Sequence, residues 1–387
     1  IVSLLTAIPF IQKHKQVAYM APTEILANQI YSNVLNHLDN EEVNPILLTG
    51  SSKNKSEIYE KIEKGIFNFI IGTHAIFQEN LNFSSLAYVI IDEQHRFGVQ
   101  QRLYLAEKGI NTNILLMSAT PIPRTLALAQ YGEIEQVILK EKPAFQKPII
   151  TKVSNIDKIK DIEILLKKKI SNVSQVYWIC PLVEASETQK YKDVETRFKS
   201  LKNIFGSEVE MLHGKIKSDQ KERIIQNFQK GNIKILVATT VVEVGIDNKN
   251  ADYIVIENAE KFGLSQLHQL RGRVGRGNNQ GYCFALYGKD LPDNTINRLK
   301  IFKENLDGFK LSEKDLEIRG TGDILGYRQS GDSLFKFVNV YHDQELIIDA
   351  LQYVKKLIEK KEYENEKFKK DIYCLLYTSD AADDVRS

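Results

Sequence analysis

The sequence predicts an α/β protein with two tandem parallel-sheet domains, followed by a helical hairpin and a C-terminal helix. Short apolar runs rich in branched residues alternate with segments of helical periodicity, which is typical of parallel sheets covered by helices. The alternation is interrupted around Pro143 and Pro148 and then begins again. Beyond Pro292 the helical pattern continues without further strands.

These changes of pattern give five expected regions. The first domain is expected over residues 1–142 and the second over 143–290, with the hairpin and a Gly-rich stretch over 291–342. A charged helix is expected within 343–370. Residues 371–387 break the Lys/Glu/Ile-rich character of the chain, and we interpret them as non-native or disordered.

In the first domain each predicted strand is a short apolar run, and the helix after the first strand is predicted to begin at Thr23, a suitable N-cap. The first strand is predicted within the run 16–22, of which 17–20 is the apolar part, and the others at 46–49, 69–73, 88–91 and 114–118. Ile25, Leu26, Ile30 and Val34 recur at helical spacing after Thr23. Further helices are predicted at 55–64, 100–108 and 124–130.

The same alternation predicts the second domain and the region beyond it. Its strands are predicted at 149–153, 176–180, 209–213, 235–239, 253–257 and 282–287. Its helices are predicted at 156–169, 194–205, 219–229 and 265–274. The hairpin helices are predicted at 295–305 and 312–318, and the terminal helix at 344–369.

Composition and charge fit an ordinary globular protein. The 387 residues are 43% hydrophobic with a net charge of +2, so any nucleic-acid surface must be local. Cys180, Cys283 and Cys374 are not closely spaced, which argues against zinc or a disulfide framework and fits a reducing cytosol. No apolar run is long enough to span a bilayer. We therefore expect a cytoplasmic protein without zinc or a membrane partner.

Two carboxylates follow directly on the predicted strand at 88–91. Ligands of open α/β sheets bind beyond the carboxyl ends of the strands, so Asp92 and Glu93 point to a ligand crevice. Asp92 suits Mg²⁺, which prefers hard oxygen ligands, and Glu93 suits the activation of water. Asp-Glu alone is more often an acidic strand end that caps a helix, but Gln94 and His95 favour a nucleotide site.

A second cluster holds three arginines, Arg271, Arg273 and Arg276, with Gly272 and Gly275 between them. On a continuous helix Gln269, Arg273 and Arg276 would share one face. Clustered arginines that face a cleft suit a polyphosphate, and an arginine-rich surface helix is the plain alternative.

These two stretches resemble motifs II and VI of the superfamily 2 helicases. Residues 21–24, 72–74, 118–120 and 238–247 resemble motifs Ia, Ib, III and V of that family, in the family's order. The resemblance extends to about Lys336, and it implies that both parallel-sheet domains are RecA-like, of the P-loop NTPase type.

Within the superfamily, residues 92–99, 121–126 and 262–269 look like the RecG family of branched-DNA translocases. The Mfd family has close relatives of all three stretches, but its motif II usually reads Asp-Glu-Glu-His, whereas Gln94 stands here. Residues 307–309, 315–320, 322–323 and 328–331 resemble the translocation motif of RecG and its flanks, and 329–331 fits RecG better than Mfd.

The resemblance implies a motor portion of an ATP-dependent DNA helicase that acts on forks and Holliday junctions in recombination and repair. ATP and Mg²⁺ are the implied cofactors, branched DNA is the implied partner, and single-strand-binding protein is a further candidate. The implied nucleotide and metal residues are Asp92, Glu93, Gln94, His95, Gly245, Asp247, Gln269, Arg273 and Arg276. The implied DNA-binding or coupling residues are Pro22, Thr23, Gly72, Thr73, His74, Ser118, Thr120, Thr239, Thr240, Arg319, Gly320 and Gln329.

Part of that chemistry also follows from the residues themselves. Pro22-Thr23 and Gly72-Thr73-His74 stand at predicted strand ends, where small hydroxyl groups and free N–H groups can bind phosphates without reading bases. Thr23 alone is more often just an N-cap.

The phosphate loop Gly-x-x-x-x-Gly-Lys-Ser/Thr is absent from the sequence. Gly-Lys occurs only at Gly214-Lys215 and Gly288-Lys289, and neither pair fits the motif. Because residues 1–4 resemble the helix that follows such a loop, and the chain opens without Met, we interpret the chain as a fragment. We expect the loop and a wedge domain to precede Ile1, and we expect this fragment alone to be inactive.

Three alternatives stay open at this point. An Mfd-like transcription-repair coupling translocase would share most of the motifs. A silent DNA-binding motor would not need Asp92, Glu93, Arg273 and Arg276. An RNA helicase would not need the stretch at 319–331.

Overall fold

The computed structural model describes residues 1–38, 42–93, 108–109, 111–119, 135, 137–139, 141, 146–170, 174–181, 192–239, 248–319 and 343–360. Residues 1–121 and 141–311 form one compact unit, which holds both sheets, and 122–140 with 312–387 form a second. The domain boundaries expected from the sequence remain predictions.

The first sheet has five parallel strands in the order β2-β3-β1-β4-β5. They are β1 Gln16–Met20, β2 Pro45–Leu48, β3 Phe69–Gly72, β4 Leu86–Ile91 and β5 Asn113–Leu116. The helices described with it are α1 Val2–Ile11, α2 Glu24–His37 and α3 Lys55–Glu63. Strand β1 is buried along its whole length because Val17 and Tyr19 face one core and Ala18 and Met20 face another.

The second sheet has six parallel strands in the order β6-β11-β10-β7-β9-β8. They are β6 Ile150–Asn155, β7 Gln175–Ile179, β8 Val209–Leu212, β9 Ile235–Ala238, β10 Ala251–Ile256 and β11 Tyr282–Tyr287. Its helices are α4 Ile159–Lys169, α5 Lys192–Phe205, α6 Ser218–Gln229 and α7 Leu264–Arg271.

The two sheets share one topology. The first sheet's order is repeated by β8-β9-β7-β10-β11, and β6 is the added edge strand. A buried glutamine opens the corresponding strand of each sheet. Gln16 donates to the carbonyls of Ile62 and Phe67 at 2.8 and 2.9 Å. Gln175 donates to the carbonyls of Phe228 and Ile233, both at 2.5 Å.

Three helices follow the sheets: α8 Asp293–Glu304, α9 Gly308–Arg319 and α10 Gln344–Glu359. Helices α8 and α9 are the predicted hairpin pair, separated by 305–307. On α10, Leu346 and Tyr353 are exposed and Leu357 is buried.

The predicted fold class, two RecA-like parallel-sheet domains with helices after them, is confirmed. Two local predictions were wrong. The helix predicted at 265–274 ends at Arg271, and the first turn of the helix predicted at 156–169 is a separate 3₁₀ turn, Ile156–Lys158. The helices predicted at 124–130 and, up to residue 107, at 100–108 lie outside the described residues. In the described part of the chain, no helix is long and apolar enough to cross a membrane.

Candidate nucleotide and nucleic-acid site

Polar residues gather at one edge of the first sheet because its five strands are all parallel. Thr49 follows β2, Thr73 follows β3, Thr23 lies three residues beyond β1, Asp92 follows β4 and Ser118 lies two residues beyond β5. The carboxyl edge of such a sheet is where ligands bind. The candidate residues of four separate motifs therefore share one edge, as their positions in the sequence predicted.

Asp92 is held in a defined orientation by one hydrogen bond to each carboxylate oxygen. Its Oδ1 accepts from the Glu93 N–H at 2.9 Å, and its Oδ2 accepts from the Tyr19 hydroxyl at 3.3 Å. Burial raises the pKa of Asp92 to about 6, and the charge of Glu93 adds to the rise. The two hydrogen bonds and the charge of Arg273 act in the opposite direction.

Glu93 is buried and its backbone is left-handed, with φ of 51°. That conformation is unfavourable for a residue with a long side chain, and such strain concentrates at functional sites. Its Oε2 accepts from the N–H of Ala119 at 3.4 Å. The Glu93 carboxylate therefore touches the segment beyond β5 that resembles motif III.

These two carboxylates fit a divalent cation. Adjacent buried carboxylates repel one another, which is reflected in the raised pKa of Asp92, and a bound cation would relieve that repulsion. Oxygen donors are what Mg²⁺ requires. In the residues that the structure describes, no group of three or more His, Cys, Asp or Glu side chains could hold a metal ion. The pair thus fits an ion that is also held by substrate oxygens or water.

The arginine segment, residues 271–276, does not have the helical conformation that the sequence predicted. Helix α7 stops at Arg271, so Arg273 and Arg276 do not extend one helical face with Gln269, as the sequence had suggested. The chain turns instead, with the Arg273 N–H on the carbonyl of Leu270 at 3.0 Å and Gly275 at φ of 67°. Gly272 still has right-handed torsions, with φ of −66° and ψ of −4°, and the backbone becomes left-handed at Gly275, so the segment is not the continuous helix that the periodicity predicted.

Arg273 and Arg276, the two candidate arginines of this segment, have different surroundings. Arg273 is buried and close enough to Asp92 for its charge to lower the pKa of that carboxyl. Arg276 donates from Nε to the carbonyl of Gly272 at 2.8 Å, and it lines a cavity of about 470 Å³ with Lys249 and Asn250. Gln269 is buried on α7. The charge of Arg273 therefore acts on Asp92 in this structure.

Arg271, which the sequence left without a role, is fully buried behind this segment. It donates to the carbonyls of Phe302 and Asn305, both at 2.8 Å, and its guanidinium lies 4.5 Å from the centre of the Phe302 ring. The first two contacts satisfy carbonyl groups at the C-terminal end of α8. Arg271 therefore ties α7 to α8. Its type and position in the sequence gave no signal for this, because the partners are backbone atoms about thirty residues away.

The candidate phosphate-gripping residues lie at strand ends, as predicted. Thr23 caps α2, its side chain accepting from the Leu26 N–H at 3.3 Å. Gly72 ends β3, where a Cβ atom would meet the carbonyl oxygen of Leu48 at 1.9 Å, so only glycine fits. Thr73 is buried and His74 is exposed. Pro22 is partly buried and Ser118 is exposed.

A hydroxyl-rich loop beside Thr23 escaped the sequence argument. Thr49 and Ser51 share a side-chain hydrogen bond of 2.9 Å at the end of β2. Ser51 donates from its N–H and its hydroxyl to Glu24 Oε1, at 3.2 and 3.3 Å. The Thr-Gly-Ser-Ser sequence directly after the strand is the signal that could have indicated it.

The second sheet places a carboxylate where the first places Asp92. Glu257 follows β10, and its Oε1 accepts from Trp178 Nε1 at 2.5 Å. Arg197 holds both oxygens of Glu257, with its Nε at 2.5 Å from Oε1 and an Nη at 3.2 Å from Oε2. Glu163 also pairs with Arg197, at 3.4 Å. This carboxylate has its counter-cation in the same domain.

The remaining candidate residues are only partly described. Thr239 is buried, and its hydroxyl has no hydrogen-bond partner among the described residues. Arg319 is the last residue of α9. Those outside the described residues are Gln94, His95, Thr120, Thr240, Gly245, Asp247, Gly320 and Gln329.

Two family models match the chain. Residues 1–129 match the DEAD/DEAH box helicase model, and residues 156–278 match the helicase conserved C-terminal domain. The first match holds all five strands of the first sheet, and the second holds β7 to β10 of the second sheet, with β6 and β11 just outside it. The fold and the paired motifs thus define the class of protein as a two-domain helicase.

Curated relatives show which kind of helicase the chain is similar to. The chain is 47% identical over 354 residues to the ATP-dependent DNA helicase RecG of Borreliella burgdorferi, covering 90% of this chain and 51% of that protein. It is 42% identical over 368 residues to the RecG of Haemophilus influenzae, covering 93% and 53%. The chain spans about half the length of these relatives.

The solved structures that match the chain include a RecG. A structure of RecG bound to a three-way DNA junction matches with a TM-score of 0.69 and 36% identity, over 89% of this chain and 45% of that one. A structure of Mss116p bound to single-stranded RNA and AMP-PNP matches with a TM-score of 0.59 and 20% identity, over 79% of this chain and 67% of that one, which shows the fold alone. The chain is RecG-like in sequence and in fold over most of its own length, as its motifs had suggested.

Proposed function

We propose that this chain is the motor portion of an ATP-dependent DNA helicase that acts on branched DNA, such as forks and Holliday junctions, in recombination and repair. The proposal rests on the Asp92–Glu93 carboxylate pair, on which the positive charge of Arg273 acts. The chain that carries this pair is 47% identical to a RecG. We place the protein in the cytoplasm, with single-strand-binding protein as a further partner.

Each described residue at the edge has a chemical task in this proposal. Asp92 would hold Mg²⁺, which when bound neutralises phosphate charge and orients the oxygens of ATP. Glu93 would orient the attacking water and accept its proton. Arg273 would stabilise the negative charge that develops on the transferred phosphoryl group, with Arg276 beside it. Gln269 would position the arginine segment from α7.

The DNA contacts in this proposal are contacts with the backbone. Thr23 and Thr73 offer hydroxyl groups, and Pro22, Gly72 and His74 shape the strand ends beside them. Such contacts grip phosphates irrespective of sequence, as a translocase requires. Ser118 would couple the two activities, because its neighbour Ala119 donates to Glu93. Gln94, His95, Gly245 and Asp247 would complete the nucleotide site, and Thr120, Thr239, Thr240, Arg319, Gly320 and Gln329 the coupling to DNA.

The test is ATP hydrolysis by the full-length protein, because the sequence in hand contains no Gly-x-x-x-x-Gly-Lys-Ser/Thr. We expect Mg²⁺-dependent hydrolysis that branched duplex DNA stimulates. The Glu93→Gln variant should lose about 10²–10⁴-fold in rate, the usual contribution of a general base. The variant should still bind ATP, since the amide keeps the size of the side chain.

Matched substrates distinguish the alternatives. Stimulation by RNA rather than by branched DNA would contradict the proposed substrate. Co-purification with RNA polymerase would favour a transcription-coupled translocase. Hydrolysis by Glu93→Gln at the wild-type rate would remove Glu93 from the chemistry.

A further inference from the structure

We propose that Tyr19 is a positioning residue for the Asp92 carboxylate, and that its hydroxyl links helix α1 to the metal-binding oxygens. The inference rests on the proposed Mg²⁺-dependent function. Tyr19 lies on β1, which pairs with β4, and Asp92 follows β4. Its hydroxyl donates to Asp92 Oδ2 at 3.3 Å, while the Glu93 N–H occupies Oδ1. With one donor on each oxygen, the plane of the carboxylate is set.

The hydroxyl of Tyr19 is buried beside helix α1. The residue is only 4% exposed, and the buried side chain of Ser3 on α1 lies near its hydroxyl. A tyrosine hydroxyl carries its proton at neutral pH, so Tyr19 is the donor and the Asp92 carboxylate the acceptor in this contact.

Helix α1 is held against the first sheet by contacts with Tyr88. The Tyr88 hydroxyl donates to Thr6 Oγ1 at 2.9 Å, and the Tyr88 ring stacks on Phe10 with 4.5 Å between the centroids. Tyr88 belongs to β4, four residues before Asp92. Helix α1 therefore contacts β4 directly through Tyr88 and reaches Asp92 through Ser3 and Tyr19.

The second sheet supplies independent support. Trp178 has the position in β7 that Tyr19 has in β1, because each is the fourth residue of its strand. Each donates to the carboxylate that follows the neighbouring strand, Asp92 or Glu257. Different aromatic groups and different acids make the same contact. The contact is thus a product of the shared strand geometry rather than of one favourable side-chain pair.

The test is the affinity for metal of the full-length Tyr19→Phe variant, which keeps the ring and loses only the hydroxyl. Mn²⁺ binding in the presence of a non-hydrolysable ATP analogue is followed by electron paramagnetic resonance. We expect about 10-fold weaker Mn²⁺ binding, as is usual when the partner of a metal ligand is removed. The KM for Mg²⁺ should rise in parallel, with kcat at saturating Mg²⁺ nearly unchanged.

Trp178→Phe is the matched control, because it removes the equivalent donor in the other sheet. We expect its Mn²⁺ affinity to stay at the wild-type value while its unfolding temperature falls. Equal weakening of Mn²⁺ binding in both variants would overturn the positioning role in favour of general destabilisation. Unchanged binding in Tyr19→Phe would overturn it directly.

Ser3→Ala tests the link to α1. A smaller loss of Mn²⁺ affinity in the same direction supports the link, and no loss overturns that part of the proposal. A wild-type protein without Mg²⁺-dependent nucleotide binding would overturn the proposed function and this inference with it. A wild-type protein that binds normally beside an unaffected Tyr19→Phe would overturn the inference alone.

Discussion

Glu257 stands in the second sheet where Asp92 stands in the first. The Asp92 N–H donates to the carbonyl of Met20, and the Glu257 N–H donates to that of Ile179, both at 2.9 Å. The next residue is left-handed in both sheets, Glu93 with φ of 51° and Asn258 with φ of 48°. The two strand ends therefore share one backbone frame.

The difference lies in the cation that meets each carboxylate. Glu257 is neutralised by Arg197, a residue of its own domain that also lies 5.5 Å from the Trp178 ring centre. Asp92 has two hydrogen-bond donors and the charge of Arg273 from beyond the second sheet's α7. A buried carboxylate with a resident cation is structural, whereas one that is partly compensated can take up a cation from its ligand. The backbone frame is common to both sheets, and the groups that contact the two carboxylates differ.

Removal of the resident cation should have the largest effect on stability. Arg197→Met leaves Glu257 buried beside Trp178 without its counter-charge, and loss of one partner of a buried pair costs about 3 kcal/mol. Urea unfolding of the chain measures the loss. The matched control is Lys289→Met, which breaks an exposed pair with Asp157 at 3.1 Å and should leave the unfolding curve in place. Equal curves for Arg197→Met and the wild type would refute a structural role for this cluster.

The two buried glutamines should behave alike if the frame is truly shared. Gln16→Leu and Gln175→Leu each remove two side-chain hydrogen bonds to carbonyl groups, so each should cost about 2 kcal/mol of unfolding free energy. Gln16 also accepts from the Ser85 N–H at 3.0 Å, and Gln175 accepts from Asn248 at 3.0 Å. Chemical denaturation of the two variants, with exposed Gln12→Leu as the control, gives the comparison. A large loss in one and none in the other would break the equivalence.

Neutral replacements of Asp92 and Glu257 should change the stability of the protein in opposite directions. The pKa of Asp92 is raised to about 6, so the folded protein binds more protons than the unfolded chain between about pH 4 and pH 6. Stability from this group therefore falls as pH rises through that window. Asp92→Asn should raise stability at pH 7 by about 1 kcal/mol and flatten the profile.

Glu257→Gln is the matching replacement and should lower stability, because it removes the carboxylate that accepts two hydrogen bonds from Arg197. Thermal unfolding of both variants between pH 4 and pH 8 measures the difference. The comparison fails if both replacements stabilise the protein or if both destabilise it.

The sheet edge could be predicted from the sequence because its signals are local. Each strand is a continuous apolar run, and Asp92, Thr73 and Ser118 come within two residues of a run's end. Parallel pairing then puts them at one edge. The position of Asp92 therefore needed no tertiary information beyond the direction of the strands.

The cations and the shared frame could not be predicted in this way. Gln16 and Ile62 are forty-six residues apart, and Arg197 and Glu257 sixty, so no periodicity connects them. Arg273 was placed on a helix because its spacing from Gln269 fits one, yet the helix ends at Arg271. The residue at which a helix ends depends on the backbone conformation actually adopted, which residue spacing does not report.

The left-handed backbone at Glu93 has a consequence for protein engineering. Asn or Gly would relax at this position, as Asn258 does in the other sheet, and the relief is worth about 1–2 kcal/mol. A selection for heat resistance alone should therefore enrich Glu93→Asn and Glu93→Gly, and the survivors should be inactive. Libraries built to stabilise this motor should hold codon 93 constant, because a substitution that stabilises the protein there would remove the residue proposed to activate water.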